Sequence, residues 1–291
     1  MEEINYSFII PHHNSPELLI RCLDSIPQRE DMEIIVVDDN SQEDKRPHVM
    51  RNDVQTIYID ASQSKGAGKA RNVGLAKAKG KWLLFADCDD FYEKGFLNEL
   101  DKFRESTYDI IYFDAHHGIV LETGKCPSSP TAKPIENFLE DSSSEKNIKR
   151  LKHSSNDPWN KMFSRAFIES IYARFDEVPA TNDAWFCHFA ATKTNNVYAI
   201  PKKLYYWVRN PNSITTAKRS WAFEKQRAET GARVHHLMEQ DGACASLPYP
   251  WKGLKAICKR NGIWFAIRLY IYIMYIEVNP LKVLLYKMFD K

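Results

Sequence analysis

Residues 33–41 read EIIVVDDNS, an uninterrupted β-branched run that ends in polar side chains. Such a run is typical of a strand that is buried on both faces of a parallel sheet. Similar short apolar runs recur along the first 115 residues, and helix-like stretches separate them. We predict strands at 6–10, 33–37, 56–59, 82–86 and 109–113, and helices at 16–26, 66–79 and 95–105. This alternation predicts an α/β fold in which helices flank a Rossmann-type, mainly parallel sheet.

The regular alternation stops near residue 122. Three prolines and a serine run predict a loop-rich insertion over 122–157, with one short helix at 135–140. Regular patterns then return. They predict helices at 160–171, 183–192 and 221–240, and strands at 197–200 and 204–208.

The composition is that of a globular protein. Of the 291 residues, 44% are hydrophobic and 27% are charged, which excludes a disordered chain and a disulfide miniprotein. The six cysteines form no CxxC pair, so they predict reduced thiols in a cytosolic protein rather than a zinc ribbon. The N-terminus lacks the basic residues of a signal peptide, and no apolar run is long enough for a transmembrane helix.

Polar segments follow three of the predicted strands: 11–14 (PHHN), 38–41 (DDNS) and 87–90 (DCDD). Ligands of open parallel sheets bind at the carboxyl ends of the strands. Two acidic segments at neighbouring strand ends repel each other unless a divalent cation or a hydrogen-bonded base compensates them. The alternative for 38–41 alone is that it caps a following helix.

Residues 66–72 read GAGKARN and superficially suggest a phosphate loop. The Walker pattern fails, because it requires a glycine where Gln63 stands and a serine or threonine where Ala70 stands. Lys69 and Arg71 nevertheless lie near a predicted helix start, where backbone N–H groups and cations can meet a diphosphate. The alternative is a solvated basic face.

These segments, taken in order, resemble the signature of family 2 glycosyltransferases, which have the GT-A fold. The matching blocks are FIIPHHN at 8–14, EIIVVDDNS at 33–41, GAGKARN with GL at 66–75, and FADCDD at 85–90. The resemblance is strong over residues 4–115 and weaker to about 216. It implies a glycosyltransferase domain over 1–216, with a nucleotide-sugar half (1–115) and an acceptor half (116–216). Residues 217–291 are then a helical, basic and aromatic extension.

The resemblance implies a UDP-sugar donor and an inverting reaction that is assisted by Mn²⁺ or Mg²⁺. It puts Asp39 on the uracil ring and His13 where the family often has a tyrosine that stacks on the base. Asp89 is then the metal ligand, and Asp87 holds hydroxyls of the ribose or sugar or joins in metal binding. The donor-binding residues implied are Pro11, His13, Asn14, Asp39, Lys69, Arg71, Asp87 and Asp89.

An inverting transfer also requires a general base. The family uses the aspartate of a late Glu-Asp pair, and this sequence has Asn182-Asp183 there. The resemblance therefore implies that Asp183 is the base. The alternative is that Asn182 or Asp183 only caps the helix that follows.

Contacts to the acceptor are implied for Trp159, Lys161 and Asn182. Trp159 and Lys161 resemble a family W-x-K stretch, and an aromatic ring suits the apolar face of a sugar. For Trp159 the alternative is an ordinary place in the core.

The C-terminal tail, residues 251–291, is basic and aromatic. It has eight lysines and arginines against Glu277 and Asp290, a balance of +6, whereas the whole chain carries only +2. Residues 1–250 therefore carry −4. Mixed basic and aromatic residues suit a helix in an anionic membrane interface, which predicts a cytoplasmic enzyme that binds peripherally to the inner face of the cytoplasmic membrane. The alternative is a helical pair that packs on the catalytic domain.

The predicted function is transfer of a sugar from a UDP-sugar to a lipid-linked or other glycan acceptor in capsule or surface-polysaccharide synthesis. A nucleic-acid partner is not expected at so low a net charge. Two alternatives remain, a sugar nucleotidyltransferase and a non-catalytic sugar-binding module. No glycine follows the first predicted strand within residues 11–15, which disfavours the nucleotidyltransferase, and the intact carboxylates disfavour the module.

Overall fold

A computed structural model describes residues 3–49, 51–178, 181–209, 220–243 and 257–278. The chain divides into two compact units, Met1–Asn210 and Pro211–Lys291. The boundary predicted at residue 216 lies outside the described residues. The same holds for much of the basic tail, at 251–256 and 279–291.

The first half of the larger unit alternates strands and helices as predicted. Its elements are β1 (Tyr6–His12), α1 (Pro16–Asp24), β2 (Met32–Asp38), a 3₁₀ turn (Glu43–Lys45), β3 (Val54–Tyr58), α2 (Ala67–Leu75) and β4 (Trp82–Phe85). All four predicted strands form, with small differences at their ends. Helix α2 is shorter than predicted, because it ends at Leu75 and a turn follows.

The second half is less regular. It contains β5 (Phe91–Tyr92), α3 (Phe96–Leu100), a 3₁₀ turn (Asp101–Phe103), β6 (Ile110–Ile119), α4 (Ala132–Glu140), α5 (Glu145–Lys152), β7 (Lys161–Ser164), α6 (Arg165–Ser170), α7 (Asn182–Thr192) and β8 (Val197–Val208).

Three predictions for this half are corrected. The insertion at 122–157 holds two helices, α4 and α5, rather than the one predicted at 135–140, and the Ser144 side chain caps α5. The helix predicted at 160–171 begins as strand β7, and only 165–170 are helical. The two strands predicted at 197–208 are one strand, β8, which pairs along its length with β6.

The strands form one sheet in the order β3-β2-β1-β4-β7-β6-β8-β5. Strands β3, β2, β1 and β4 are parallel to one another, β7 is antiparallel to both of its neighbours, and β6 and β8 are parallel. The prediction of a helix-flanked, mainly parallel α/β sheet is confirmed. Strands β1, β2 and β4 are neighbours, so their polar carboxyl ends lie along one edge.

Both faces of the sheet are buried, as the run at 33–37 predicts. Ile34 and Val36 join the core on one face, and Ile35 and Val37 join a cluster on the other. All four side chains are fully buried. Burial on both faces fixes the register of β2 and therefore the position of the carboxylates that follow it.

The smaller unit contains two long helices, α8 (Trp221–Gln240) and α9 (Ile263–Val278). Helix α8 has the predicted bounds. Ile257 and four residues of α9, namely Ala266, Leu269, Ile273 and Ile276, pack against Ala228 of α8. The Tyr272 hydroxyl donates a hydrogen bond of 2.5 Å to Glu229 Oε1 across this pair. Within the described ranges, no helix is both long and apolar enough to cross a bilayer.

Candidate active site

The polar segment after β1 interlocks with the segment after β2. His12 Nδ1 lies 2.7 Å from Asp38 Oδ1, and the backbone N–H of Ser15 donates to His12 Nε2 at 3.2 Å. His12 Nε2 therefore accepts, and Nδ1 is the ring nitrogen that donates to Asp38. Ser41 Oγ also donates to Asp38 Oδ1, at 2.5 Å. These buried groups satisfy one another and hold the two loops together.

The helix-cap hypothesis for 38–41 is wrong. The 3₁₀ turn that follows has Gln42 at its N-cap and no side-chain cap. Asp38 instead receives hydrogen bonds from both the N–H and the hydroxyl of Ser41.

His13 and Asn14 form the open rim of these loops. His13 is exposed, and its Nδ1 lies 2.9 Å from the backbone oxygen of Asp39, while Asn14 Nδ2 approaches its Nε2 at 2.9 Å. Asn14 has a positive φ of 53° and accepts from the Gln42 N–H at 2.8 Å. Pro11, in contrast, is buried inside β1.

Asp39 has one carboxylate oxygen occupied and one without a partner. Its side chain is 6% exposed, and Oδ2 accepts a hydrogen bond of 2.7 Å from the N–H of Gly66, where α2 starts. Its Oδ1 is buried and has no hydrogen-bond partner among the described residues. Leaving a buried carboxylate oxygen unpaired is costly, so this atom indicates a ligand that donates a hydrogen bond.

Helix α2 approaches the acceptor half closely through Gly68. A Cβ at this position would lie only 2.0 Å from the backbone oxygen of Asp176 and 2.9 Å from Asn182 Cβ. Glycine is required here because only its hydrogen fits. This close contact brings Arg71, one turn further along, next to the start of α7.

Arg71 links the two halves of the unit. It is 4% exposed, its Nη1 donates to Asn182 Oδ1 at 2.7 Å, and its Nη2 pairs with Asp87 Oδ1. Burial opposes its charge, but Asp87 and Asp183 outweigh burial and raise the Arg71 pKa. Arg71 Nε is buried without a partner among the described residues. The guanidinium therefore stays charged between carboxylates from both halves.

The three carboxylates at 87–90 differ in how far they are buried. Asp90 is fully buried, and it accepts from the Tyr205 hydroxyl at 3.0 Å and from the Val208 N–H at 2.7 Å. The Tyr205 hydroxyl in turn accepts from the Asp87 N–H at 2.9 Å. Asp90 thus anchors the loop to β8, while Asp87 and Asp89 stay half-exposed.

Asp89 fits a metal ion that is held jointly with phosphates. Burial and the neighbouring charge of Asp87 raise the pKa of Asp89 to about 6, and no side chain in the described part donates to it. Within those ranges, no group of three or more His, Cys, Asp or Glu is arranged to hold a metal. A site of one or two carboxylates completed by substrate phosphates and water is ordinary for Mg²⁺.

Asp183 lies at the second position of α7 and does not cap it. The N-cap residue is Thr181, which makes no side-chain cap. Among the described residues, the one hydrogen bond that Asp183 Oδ1 accepts is from the neighbouring Ala184 N–H, at 2.9 Å. Burial raises the pKa of Asp183 to about 6, with Arg71 opposing and Asp157 and Asp87 adding to the rise. A carboxylate with a pKa in this range can accept a proton near neutral pH.

Lys69 is paired in this structure. Its Nζ lies 3.3 Å from Glu177 Oε1, and Lys65 Nζ lies 3.2 Å from Glu177 Oε2. Lys69 remains at the edge of the site with 27% of its side chain exposed. Contact with a diphosphate would require it to exchange this carboxylate for a phosphate.

The three residues implied as acceptor contacts are all buried. Trp159 is 3% exposed, and its ring stacks on Tyr205 with centroids 4.9 Å apart, so it is a core residue. Lys161 is fully buried and donates to Asn160 Oδ1 at 2.8 Å and to the Asp157 backbone oxygen at 2.5 Å. Asn182 is 9% exposed, and its Oδ1 accepts a hydrogen bond from Arg71. None of the three offers an open surface to a glycan.

Asp157, Arg21 and Glu177 also contact the site, and no sequence pattern identified them. The charge of Asp157 acts on Asp183, and Arg21 Nη2 donates to the backbone oxygen of Asp89. Each of these residues is far from its partner in the sequence, so no local spacing predicts the contact. The one available signal is that Asp157 directly precedes the PWNK stretch at 158–161.

Comparison with known proteins finds a matching family and similar sequences. Residues 7–172 match the family described as Glycosyl transferase family 2. The putative glycosyltransferase EpsH of Bacillus subtilis (strain 168) is 26% identical over 254 residues, which cover 83% of this chain and 71% of EpsH. The poly(ribitol-phosphate) beta-N-acetylglucosaminyltransferase TarS of Staphylococcus aureus (strain Mu50 / ATCC 700699) is 25% identical, over 70% of this chain but only 35% of TarS.

Solved structures share the fold. S. aureus TarS 1–349 in complex with UDP-GlcNAc superimposes with a TM-score of 0.61 at 21% identity, covering 88% of this chain and 71% of that one. The mannosyltransferase PcManGT from Pyrobaculum calidifontis, in complex with GDP-Man and Mn²⁺, gives a TM-score of 0.56 at 15% identity, covering 99% of this chain and 88% of that one. The predicted GT-A fold is confirmed.

Proposed function

This chain belongs to glycosyl transferase family 2, and on that premise we propose that it transfers a sugar from a UDP-sugar to a glycan hydroxyl with inversion at the anomeric carbon. The observation that carries the proposal is the position of Arg71. One buried guanidinium is bonded to Asp87 on the donor side and to Asn182, next to Asp183, on the other side. The proposed donor carboxylate and the proposed base are thereby held close together.

The unpaired Oδ1 of Asp39 supports the choice of nucleotide. A carboxylate oxygen can accept the N3–H of uracil, and this buried atom has no hydrogen-bond partner within the described ranges. The relative TarS is described in complex with UDP-GlcNAc, which is the same nucleotide class. We therefore favour a UDP-sugar.

In the proposed reaction, the acceptor hydroxyl oxygen attacks the anomeric carbon while the bond from that carbon to the diphosphate oxygen breaks. The Asp183 carboxylate takes the hydroxyl proton, and UDP leaves with the bonding electrons. Arg71 holds Asp87 and the start of α7 in position, and Asp39 orients the uracil ring. These roles are general-base catalysis and positioning, which together supply large parts of such rate enhancements.

Mg²⁺ or Mn²⁺ fits beside Asp89, with Asp87 as a second ligand. When bound there, such an ion neutralises charge that grows on the departing diphosphate.

The proposed acceptor is a surface-polysaccharide glycan, either free or linked to a lipid. This choice rests on the names of two relatives, the poly(ribitol-phosphate) beta-N-acetylglucosaminyltransferase TarS and ExoO, a succinoglycan biosynthesis protein of Rhizobium meliloti (strain 1021).

A panel of UDP-sugars, each with Mn²⁺ or Mg²⁺, tests the proposal. We expect UDP release with at least one donor, dependent on the metal and stimulated by a glycan acceptor. Release of pyrophosphate instead would indicate a sugar nucleotidyltransferase. Binding of donors without UDP release in any condition would indicate a non-catalytic module.

Replacing Asp39 with Asn is expected to weaken UDP binding. The amide removes the charge, and losing a hydrogen bond to a charged group costs roughly 10- to 100-fold in affinity. Because the proposed contact is to the uracil ring, calorimetry is expected to show the same loss of affinity for UMP as for UDP. Lys69→Met is the control, since it lies at the diphosphate end and is expected to weaken UDP more than UMP. An Asp39→Asn protein with unchanged UMP affinity contradicts the uracil contact.

We also propose that α9 binds an anionic membrane surface at the inner face of the cytoplasmic membrane. The face of α9 that turns away from α8 exposes large apolar side chains, including Trp264 at 81%, Ile271 at 62% and Ile263 at 56%. The exposed large side chains of α9 lie at positions 263, 264, 267, 270, 271, 274 and 275, a spacing that places them on one face of the helix. The basic residues at 251–291 supply the complementary charge for anionic lipid.

The double variant Trp264→Ser/Ile271→Ser is expected to lose about 10-fold or more in co-sedimentation with phosphatidylglycerol vesicles, because two large apolar side chains no longer bury in the interface. Ile20→Ser is the matched control, since Ile20 is 53% exposed on α1. Equal sedimentation of the double variant and the control would refute the membrane assignment. Binding to phosphatidylcholine vesicles alone tests whether charge contributes.

A further inference from the structure

A second aromatic pair lies beside the buried Trp159. His117 on β6 and Trp207 on β8 are direct neighbours in the sheet register, and their ring centroids lie 4.6 Å apart at 53°. His117 also lies 5.9 Å from the Trp159 ring. Unlike Trp159, both His117 and Trp207 are half-exposed.

The Trp207 ring is held in place by the backbone beneath it. A Cβ at Gly118 would lie 2.8 Å from Trp207 Cζ3 and 3.3 Å from Cε3, so the ring lies directly against this glycine. Gly118 has a positive φ of 74°, a conformation that also favours glycine. A ring fixed in this way loses little further freedom when a ligand stacks on it.

Asp157 connects this pair to the proposed base. Its negative charge acts on His117 and, separately, on Asp183, so Asp157 lies within electrostatic reach of each of them. The core stack of Trp159 on Tyr205 continues from this pair toward the donor loop, where the Tyr205 hydroxyl meets the Asp87 N–H. The aromatic pair and the donor carboxylates are thus joined through one buried tyrosine.

We propose that Trp207, with His117 and Asp157, forms the platform that binds the acceptor sugar. The inference rests on the proposed glycosyltransferase function and names the part of that site which recognises the acceptor. A pyranose has a face of C–H groups that suits the Trp207 ring, and its hydroxyls suit an imidazole and a carboxylate. Trp207 therefore replaces Trp159 as the aromatic ring that meets the glycan.

The neighbouring residue Tyr206 provides a matched control. Successive residues of a strand point to opposite faces, and Tyr206 stacks instead on His116 at 4.1 Å and on Phe91 at 4.5 Å. Removing the Tyr206 ring perturbs the same strand but leaves the proposed platform intact.

The test measures binding of N-acetylglucosamine, glucose and galactose to the full chain by saturation-transfer difference NMR, in the presence of UDP. We expect a signal from at least one sugar in the unmodified protein. Trp207→Leu, which keeps apolar bulk over Gly118, is expected to reduce that affinity about 10-fold. Trp207→Tyr is expected to restore most of it, and Tyr206→Leu to leave it unchanged. UDP affinity is expected to stay the same in all variants, which also reports that they fold.

Three results overturn the platform: no sugar signal in an unmodified protein that binds UDP, equal sugar affinity in Trp207→Leu and the unmodified protein, or equal loss in Trp207→Leu and Tyr206→Leu. Failure of the unmodified protein to bind UDP contradicts the UDP-sugar proposal instead. If a sugar signal that depends on Trp207 persists in that case, the platform is supported on its own.

Discussion

Asp183→Asn is expected to lower kcat for sugar transfer by about 10²- to 10⁴-fold, the usual contribution of a general base. The amide has nearly the same shape as the carboxylate but cannot accept the proton. Asn also retains an oxygen for the Ala184 N–H, and Thr181 remains the N-cap residue. Folding and UDP binding are therefore expected to be unchanged. The measurement is the rate of glycan product formation with the donor that the panel identifies.

Asp157→Asn is the matched control for this experiment. It removes a carboxylate that is proposed to bind the acceptor but not to take the proton, so it is expected to raise the KM for the acceptor and to leave kcat nearly unchanged. Near-normal transfer by Asp183→Asn, with folding retained, contradicts the assignment of Asp183 as base.

The pH dependence of the transfer rate is a second test of Asp183 as the base. The base acts as a carboxylate, and burial raises the pKa of Asp183 to about 6. The rate of transfer is therefore expected to fall as the pH drops through about 6, whereas an ordinary aspartate would keep its charge well below that. Asp157 contributes to the raised pKa, so Asp157→Asn is expected to lower the Asp183 pKa and move the acid limb of the profile to lower pH.

Arg71→Met is expected to have the largest effect on stability. It leaves Asn182 Oδ1 without its donor and Asp87 without its counter-charge. Removing one partner of a buried ion pair costs roughly 3–5 kcal/mol of unfolding free energy. Asp87 keeps 33% of its side chain exposed, so water screens part of this cost, and we expect about 2–3 kcal/mol. Chemical denaturation measures it.

Lys69→Met provides the comparison for Arg71→Met. The two positions lie on the same helix, but Lys69 is half-exposed, and its one ion-pair partner in the described part of the chain is Glu177. A surface pair of this kind contributes roughly 0–1 kcal/mol. Equal losses of stability in the two variants would show that Arg71 does not act as the link between the halves. Arg71→Met is also expected to raise the KM for the donor, because repulsion between Asp87 and Asp89 is then unopposed.

The positions of most strands along the chain could be predicted because their apolar patterns are local. The run at 33–37 is apolar at every position after Glu33, and this is what a strand buried on both faces requires. Some helix starts, such as Ser15-Pro16, can also be recognised from their own residues. The polar ends of β1, β2 and β4 could therefore be predicted to meet, and the structure brings them together.

Strand β7 could not be predicted in the same way. It has only four residues, and it is a strand because β4 and β6 lie on either side of it. Its own pattern continues into helix α6, so the sequence suggested one long helix. Tertiary pairing overrode local preference here.

The partners of the site residues also lay beyond prediction. Arg71 meets Asn182, and Asp90 meets Val208, across more than 100 residues of chain. Residue type alone allowed Trp159 to be either a sugar-binding platform or a core residue, and its 3% exposure favours the core. Residue type predicts which chemistry is available, whereas burial decides which residues can use it.

The anchoring of Asp90 has a consequence for motion. Its carboxylate accepts the N–H of Val208, at the end of β8, and the hydroxyl of Tyr205, which itself holds the Asp87 N–H. Opening the 87–90 loop therefore breaks bonds of β8, and fraying the end of β8 releases the loop. The two segments open as one cooperative unit, so ordering either of them also protects the other from local unfolding.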